Sequence, residues 1–259
     1  MKDLLDAWSK YADRPMFEEI MPSDVDTASF RINDELEHRV WDKDDKLKPE
    51  IRQRLLEIAS EAWAIMGLPT VAVDDITFTG SLANYNWSSY SDVDLHILVD
   101  FGSLPGPEDL AEVMMNAKRA AWNNKHDITI HGYEVEIYIQ DSNEVHHSTG
   151  VYSVLHDSWL VKPEKKRFTI DYDNVKLKAA HIMNQIDKIE SVYERGGYEE
   201  AMQDVDRLKE KIRKFRKCGL EQGGEYSSEN IAFKALRRNG YLKKLSDLKT
   251  TSYDNLRSI

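Results

Sequence analysis

A single cysteine, Cys218, stands among the 259 residues, so no internal disulfide forms and no CxxC-type metal or redox site is present. That scarcity points to a reducing, cytoplasmic location. No stretch approaches the ~18 apolar residues that a membrane span needs. The opening segment carries Asp3 and Asp6 where a secretory signal would have its apolar core, so neither secretion nor insertion is expected. Internal repeats and low-complexity tracts are also lacking. Cations are in deficit, 35 Lys and Arg against 46 Asp and Glu for a net charge of -11, which argues against a surface that binds nucleic acid over its whole extent.

What is there suggests one large or two modest domains with enough apolar content for a real core. The charge is unevenly divided. Residues 1–159 carry 13 Lys/Arg and 30 Asp/Glu, a net -17, and residues 160–259 carry 22 and 16, a net +6, which together recover the -11. Such an asymmetry suggests an N-terminal part that holds something cationic, such as metal ions, and a C-terminal part that meets a polyanion.

Residues 1–14 read as a short helix ended by Pro15, and residues 21–45 as an extended arm or a disordered leader. Pro49 sits at a favoured first helical position, and Ile51, Leu55, Ile58, Ala59, Ala62 and Met66 recur at helical spacing until Gly67. Ile76–Thr79 reads as a strand that runs into Gly80-Ser81. In Val93–Val99, Asp94, His96 and Leu98 share one strand face. A helix over 108–124 is expected to bury Leu110, Val113, Met114, Ala117 and Ala121. Residues 127–130 and 134–139 alternate around His131-Gly132-Tyr133 as a hairpin. Helices over 174–194, 198–217 and 228–240 follow, separated by Gly196-Gly197 and Gly223-Gly224. The expected division is an N-terminal helix and arm over 1–48, a catalytic domain over 49–165 and a helical domain over 166–259.

The chemistry concentrates between Gly80 and Leu95. Asp92 and Asp94, two apart at the start of an apolar strand, project carboxylates from one face. Adjacent carboxylates repel unless a cation lies between them, and Mg2+ takes one or two carboxylates and completes its shell with substrate phosphates. A strand ending in Gly-Ser brings backbone N–H groups and a hydroxyl to a following helix N-terminus, which favours phosphate. Together these are the parts of a phosphoryl or nucleotidyl transfer site, in which two metal ions about 3.5–4 Å apart clamp the attacking and leaving oxygens. A third carboxylate from a neighbouring strand is needed, and the hairpin strand offers Glu134 and Glu136.

In these motifs the chain resembles the DNA polymerase beta superfamily of nucleotidyltransferases. That signature is an apolar residue, Gly, then Gly or Ser, a short spacer, and Asp-apolar-Asp; here Gly80-Ser81 is followed by ten residues and then Asp92-Val93-Asp94-Leu95. The family's later apolar-acid-apolar strand is matched better by Val135-Glu136-Ile137 than by Tyr133-Glu134-Val135, although the family usually has Asp there. The matching stretch covers about 60 of the 259 residues, Ile76 to Ile139.

The resemblance implies an α+β fold: a nucleotidyltransferase-like mixed sheet flanked by helices, then a helical C-terminal domain that closes over the nucleotide. It also implies transfer of a nucleoside monophosphate from a nucleoside triphosphate to a hydroxyl acceptor, with pyrophosphate leaving. Asp92, Asp94 and Glu136 are then the catalytic, metal-binding acids for two Mg2+ ions, with Mn2+ an acceptable substitute. Gly80 and Ser81 take the β and γ phosphates, while Ser91, grouped with them, orients the loop.

Other readings stay beside this one. Ser81 also fits a helix N-cap, and His96 fits a structural histidine or a residue lining the site. Tyr85, Trp87 and Tyr90 suit packing or base contact. His146-His147 with His156 hint at zinc, but without a known ligand spacing. Seven cations and one acid over Arg207–Lys217 read as the solvated face of a helix or as a contact for RNA or triphosphate. The alternative function is a nucleotide- or RNA-binding module on the same fold that does not catalyse; a metal-dependent phosphohydrolase is a third.

Overall fold

The structure, a computed structural model, describes residues 19–67, 71–104, 107–144, 148–165 and 169–259. The helix read over 1–14 lies outside the described residues. The protein is a mixed α/β chain with one six-stranded mixed sheet and six helices among the described residues. It divides into two compact units: Ser29–Phe168, and Thr169–Ile259 together with the described residues before Ser29.

In the first unit the order is α1 (Pro49–Ile65), β1 (Asp75–Thr79), β2 (Val93–Val99), α2 (Glu108–Lys125), β3 (Thr129–Ile130), β4 (Tyr133–Asp141), β5 (Val151–Ser153) and β6 (Ser158–Val161). The sheet order is β3-β4-β2-β1-β5-β6, and only β2 and β4 run parallel. A parallel pair needs a long crossover, which α2 with the β3 turn supplies. The hairpin turn is His131-Gly132, at φ 51° and 84°, the left-handed pair of a two-residue type I′ turn. β5 and β6, which the alternation of residues did not suggest, complete the sheet.

Strand alternation sorts the side chains into rows. Phe78, Leu95 and Ile137 are register partners on one face, as are Ile76, Ile97 and Ile139. They form the core with Leu55, Ile58 and Ala62 of α1 and with Ala111, Met115 and Trp122 of α2. The helix read over 108–124 is therefore present but rotated by one residue: Leu110 and Val113 of the expected inner face are 59% and 65% exposed. Two contacts set that rotation. Trp122 brings the largest apolar surface of the helix inward, and Asn123 caps the edge of β4, donating to Ile137 O at 3.0 Å and accepting from Ile137 N at 3.1 Å. An unpaired strand edge would otherwise leave those groups unsatisfied.

Residues 29–48 pack within this unit. Trp41 stacks on Phe78 at 5.6 Å and donates its indole N–H to Leu82 O at 2.7 Å. Glu37 is fully buried and accepts from Arg39 Nε at 2.9 Å and from the Tyr133 hydroxyl at 2.8 Å. Burial pushes its carboxyl up, yet the hydrogen bonds from the Arg39 side chain and backbone and from Tyr133 outweigh burial and hold it below the usual range.

The second unit holds α3 (Tyr172–Glu194), α4 (Tyr198–Gly223), α5 (Ser228–Arg238) and α6 (Tyr241–Arg257). Asp171 caps α3 and Ser227 caps α5 through side-chain oxygens that accept backbone N–H groups. Helix α4 continues through Gly223, so the break falls only at Gly224, with φ 65°. The helix read over 228–240 ends at Arg238, and α6 is an addition to the sequence reading. Residues 19–28 belong here: Ile20 exchanges two 2.9 Å hydrogen bonds with the Asn184 amide of α3. No helix among the described residues is long and apolar enough to cross a membrane.

Candidate active site

Strand β1 ends at Thr79, and the chain then turns through Gly80 at φ 78°, ψ -163°, a backbone region that essentially only glycine occupies. A second constraint acts at the same atom. A Cβ on Gly80 would lie 1.7 Å from Asp94 Oδ2, so the missing side chain is the space that the Asp94 carboxylate fills. Glycine is required here both by backbone torsion and by its neighbour.

The expected helix after Gly-Ser is a single 3₁₀ turn, Ser81–Ala83. Asn84 ends it: this buried side chain accepts from Tyr85 N at 2.8 Å and donates to Thr149 Oγ1 at 2.5 Å, competing with continued helix. Gly150 reinforces the stop, because a Cβ there would meet Ala83 O at 2.0 Å. Gly80, not Ser81, stands at the cap position. The Ser81 hydroxyl instead donates to Ser91 Oγ at 2.7 Å, and Ser91 Oγ also accepts from Ser88 N at 2.9 Å. Ser91 thus ties the two ends of the loop together, in keeping with an orienting role. The loop after Gly80 therefore presents the backbone of one 3₁₀ turn, Ser81–Ala83, and not the N-terminus of an α-helix.

Across the sheet, Thr79, Asp94 and Glu136 are register partners on β1, β2 and β4. Direct partners share a face, so Asp94 and Glu136 lie side by side on the face away from the Leu95 core. Neighbouring strands are about 4.8 Å apart, so two half-buried acids stand on adjacent strands at one level of the sheet. Asp92 immediately precedes β2 and falls on the same side of the alternation. Glu134 is exposed, one pleat nearer the hairpin turn, where it partners Thr129. Register therefore brings Glu136, not Glu134, beside Asp94.

The next row joins Thr77, His96 and Tyr138. The Tyr138 hydroxyl donates to Glu136 Oε2 at 2.5 Å. Burial, that hydrogen bond and the charge of Asp94 push the phenol strongly up, so it stays a donor at neutral pH. The His96 ring stacks on Tyr138 at 4.8 Å, and its Nδ1 lies 2.9 Å from Gln140 Oε1. The Arg119 guanidinium sits over the Tyr138 ring at 4.9 Å. Thr77 Oγ1 and Arg119 Nε, both next to this row, are buried without a hydrogen-bond partner. His96 is thereby a packed, hydrogen-bonded member of the site's wall. Tyr138 and Gln140 were missed in the sequence, yet they follow Glu136 at the period of two that puts all three on one face. Arg119, from α2, had no such signal.

Asp94 and Glu136 on one sheet face, with Asp92 just before β2, are oxygen donors of the kind a hard divalent cation takes, and space for the Asp94 group is built into the backbone at Gly80. Among the described residues, no group of three or more His, Cys, Asp or Glu stands in an arrangement that would itself hold a metal. His146 and His147 lie outside the described residues. Of the loop aromatics, Tyr85 and Trp87 pack on the core, the Trp87 indole N–H donating to Glu35 O at 2.9 Å, whereas Tyr90 is 59% exposed. Asn33 adds a further staple through its side-chain amide to Trp87 O at 2.7 Å.

The basic run Arg207–Lys217 lies on α4, whose Leu208 and Ile212 face inward. Arg207 pairs with Asp204, Arg213 with Glu210 at 2.9 Å, Lys214 with Glu210 at 3.4 Å and Lys217 with Glu221 at 3.8 Å. These i,i+3 and i,i+4 pairs account for much of the run as a solvated helix face. Comparison of the chain with protein-family models, with curated proteins and with solved structures returned no match.

Proposed function

We propose that the chain is a metal-dependent nucleotidyltransferase that moves a nucleoside monophosphate from a nucleoside triphosphate to a hydroxyl acceptor, with release of pyrophosphate. On this reading the unit Ser29–Phe168, wider at its start than the expected 49–165, is a nucleotidyltransferase-like catalytic domain, and the helices from Thr169 to Ile259 are a C-terminal domain. The observation that carries it is the placement of Asp94 beside Glu136, with the Gly80 backbone against the Asp94 carboxylate. Two acids in register on adjacent strands offer oxygen ligands to a cation, which in turn would meet a triphosphate.

Bound at Asp92, Asp94 and Glu136, two Mg2+ ions, or Mn2+ in their place, would neutralise phosphate charge and make the acceptor hydroxyl more acidic. The chain's own part is orientation. Gly80 and the N–H groups of the 3₁₀ turn take the β and γ phosphates, and the Ser81 hydroxyl joins them by turning its proton from Ser91 Oγ to a phosphate oxygen. Glu136 accepts the proton of the acceptor hydroxyl as its oxygen attacks the α phosphorus. The bond from that phosphorus to the bridging oxygen breaks, and its electron pair leaves with pyrophosphate.

The test is incubation of the full chain with each labelled NTP, Mg2+ or Mn2+, and separate pools of RNA, protein and small metabolites. Transfer of label with pyrophosphate release is expected, and it should vanish in Asp92→Asn and Asp94→Asn. Wild-type rates in either purified variant would remove the site. The second reading, a nucleotide- or RNA-binding module without catalysis, is favoured by the lack of a ready-made three-ligand group among the described residues. It predicts NTP binding with no pyrophosphate released from any pool.

A further inference from the structure

The Glu136 carboxylate is held by a neutral donor within its own strand. Its Oε2 accepts the Tyr138 hydroxyl at 2.5 Å, which leaves Oε1 as the oxygen available to a cation. Tyr138 is itself constrained: the His96 ring stacks on it at 4.8 Å, Gln140 Oε1 lies 2.9 Å from His96 Nδ1, and the Arg119 guanidinium covers the ring at 4.9 Å. A glutamate has three side-chain torsions, and an unrestrained one loses rotamer freedom whenever it binds. Here packing of aromatic rings, not the ligand, supplies the restraint.

We infer that Tyr138 is a positioning residue, which fixes Glu136 as a single-oxygen ligand beside Asp94 before any cation arrives, with His96 and Gln140 holding Tyr138 in turn. The inference rests on the metal-assisted reading proposed above. It explains why this face carries a Glu136–Tyr138 pair: an acid longer than aspartate reaches further but wanders more, and the phenol removes that freedom. Hydrogen-bonding partners of metal ligands typically change metal affinity by about 10–100-fold when removed.

Tyr138→Phe removes the donor and keeps the ring against His96 and Arg119. Mn2+ binding to the full chain without nucleotide, followed by electron paramagnetic resonance, should weaken about tenfold or more in Tyr138→Phe, with an unchanged melting temperature. Raising Mn2+ should then restore nucleotidyl transfer in Tyr138→Phe but not in Glu136→Gln, a split that mere structural damage does not produce. A second measurement needs no change at Tyr138: Mn2+ added to the wild type should give a tyrosine ultraviolet difference spectrum that Glu136→Gln lacks. Equal Mn2+ affinity in wild type and Tyr138→Phe overturns the positioning role, as does a wild type that binds Mn2+ with no tyrosine signal. Both results leave the proposed function standing if Asp94→Asn still loses the ion. A wild type that binds no Mn2+ without nucleotide overturns this inference, and one that binds none with a nucleoside triphosphate present overturns the proposed function as well.

Discussion

The acid row of the sheet and the basic face of α4 use charge in opposite ways. On α4, Arg213 and Lys214 both pair with Glu210, and Lys217 reaches Glu221, so that these charges meet their opposites about one helical turn away. On the sheet, the register of β2 and β4 sets Asp94 beside Glu136, two charges of the same sign. The first pattern is what a solvated helix needs. The second gathers acids of one sign at one level of the sheet, and it coincides with a glycine cleared for one of the carboxylates. Where like charges gather around a space left by glycine, a ligand is the physical reason to look for; where local pairing suffices, a run of cations says little about partners.

The largest expected effect that would sharpen this contrast is at Asp94. Asp94→Asn should lower transfer by about a thousandfold or more, while the melting temperature of the metal-free protein changes little. A marked fall in melting temperature would mean that the acid serves the fold and would break the comparison.

Gly80→Ala should follow, because its Cβ meets Asp94 Oδ2 and its backbone sits in a region closed to alanine. The expected loss is about a hundredfold in transfer together with about 1–3 kcal/mol of stability, read from denaturant titration. Asp94→Asn separates activity from stability; Gly80→Ala couples them.

A structural charge in the same unit provides the control. Glu37→Ala takes the carboxylate from Arg39 and the Tyr133 hydroxyl, and should cost about 2–4 kcal/mol, less than a fully enclosed pair because Arg39 is 43% exposed and keeps its bond to His131 O. The sign of its pH dependence is fixed. The folded carboxyl titrates below its ordinary value of 4.5, so its contribution is complete above that pH and is lost as pH falls through the lowered value. Acid denaturation of Glu37→Ala should be flatter than wild type in that window, with the rate of nucleotidyl transfer per folded molecule unchanged.

The smallest effect is expected on α4. Arg213→Ala and Lys217→Ala remove exposed, locally paired charges and should leave both melting temperature and transfer to a small acceptor within experimental scatter. A selective loss of transfer to RNA would instead give this face a partner and revise the contrast drawn above.

Legibility of the fold followed how local each signal was. Helix α1 was readable from Pro49 and the recurrence of Ile51, Leu55 and Ile58, and β2 from its own alternation. The inner face of α2 was misread, because Leu110 and Val113 are as apolar as Ala111 and Met115; only the demands of Trp122 and of the β4 edge at Asn123 choose between the faces. Helix α6 has Leu245 and Leu248 inward, too few apolar positions to announce it beside so many polar ones. Strand β5 is only three residues long, below the length at which alternation is informative.

Within the site the same division holds. The spacing of Gly80-Ser81 and Asp92-Val93-Asp94, and the face shared by Glu136 and Tyr138, are properties of the sequence itself, because strand alternation is set by the backbone. That Glu136 rather than Glu134 stands beside Asp94 was decided by the parallel register of β2 and β4, since a slip of two residues would have preserved every facing and exchanged the acids. Tertiary structure also turned an expected helix into one 3₁₀ turn, through Asn84 and Gly150, and drew Arg119 from another element to Tyr138. Those choices depend on which distant groups must be satisfied at the same time, a condition that neighbours along the chain do not carry.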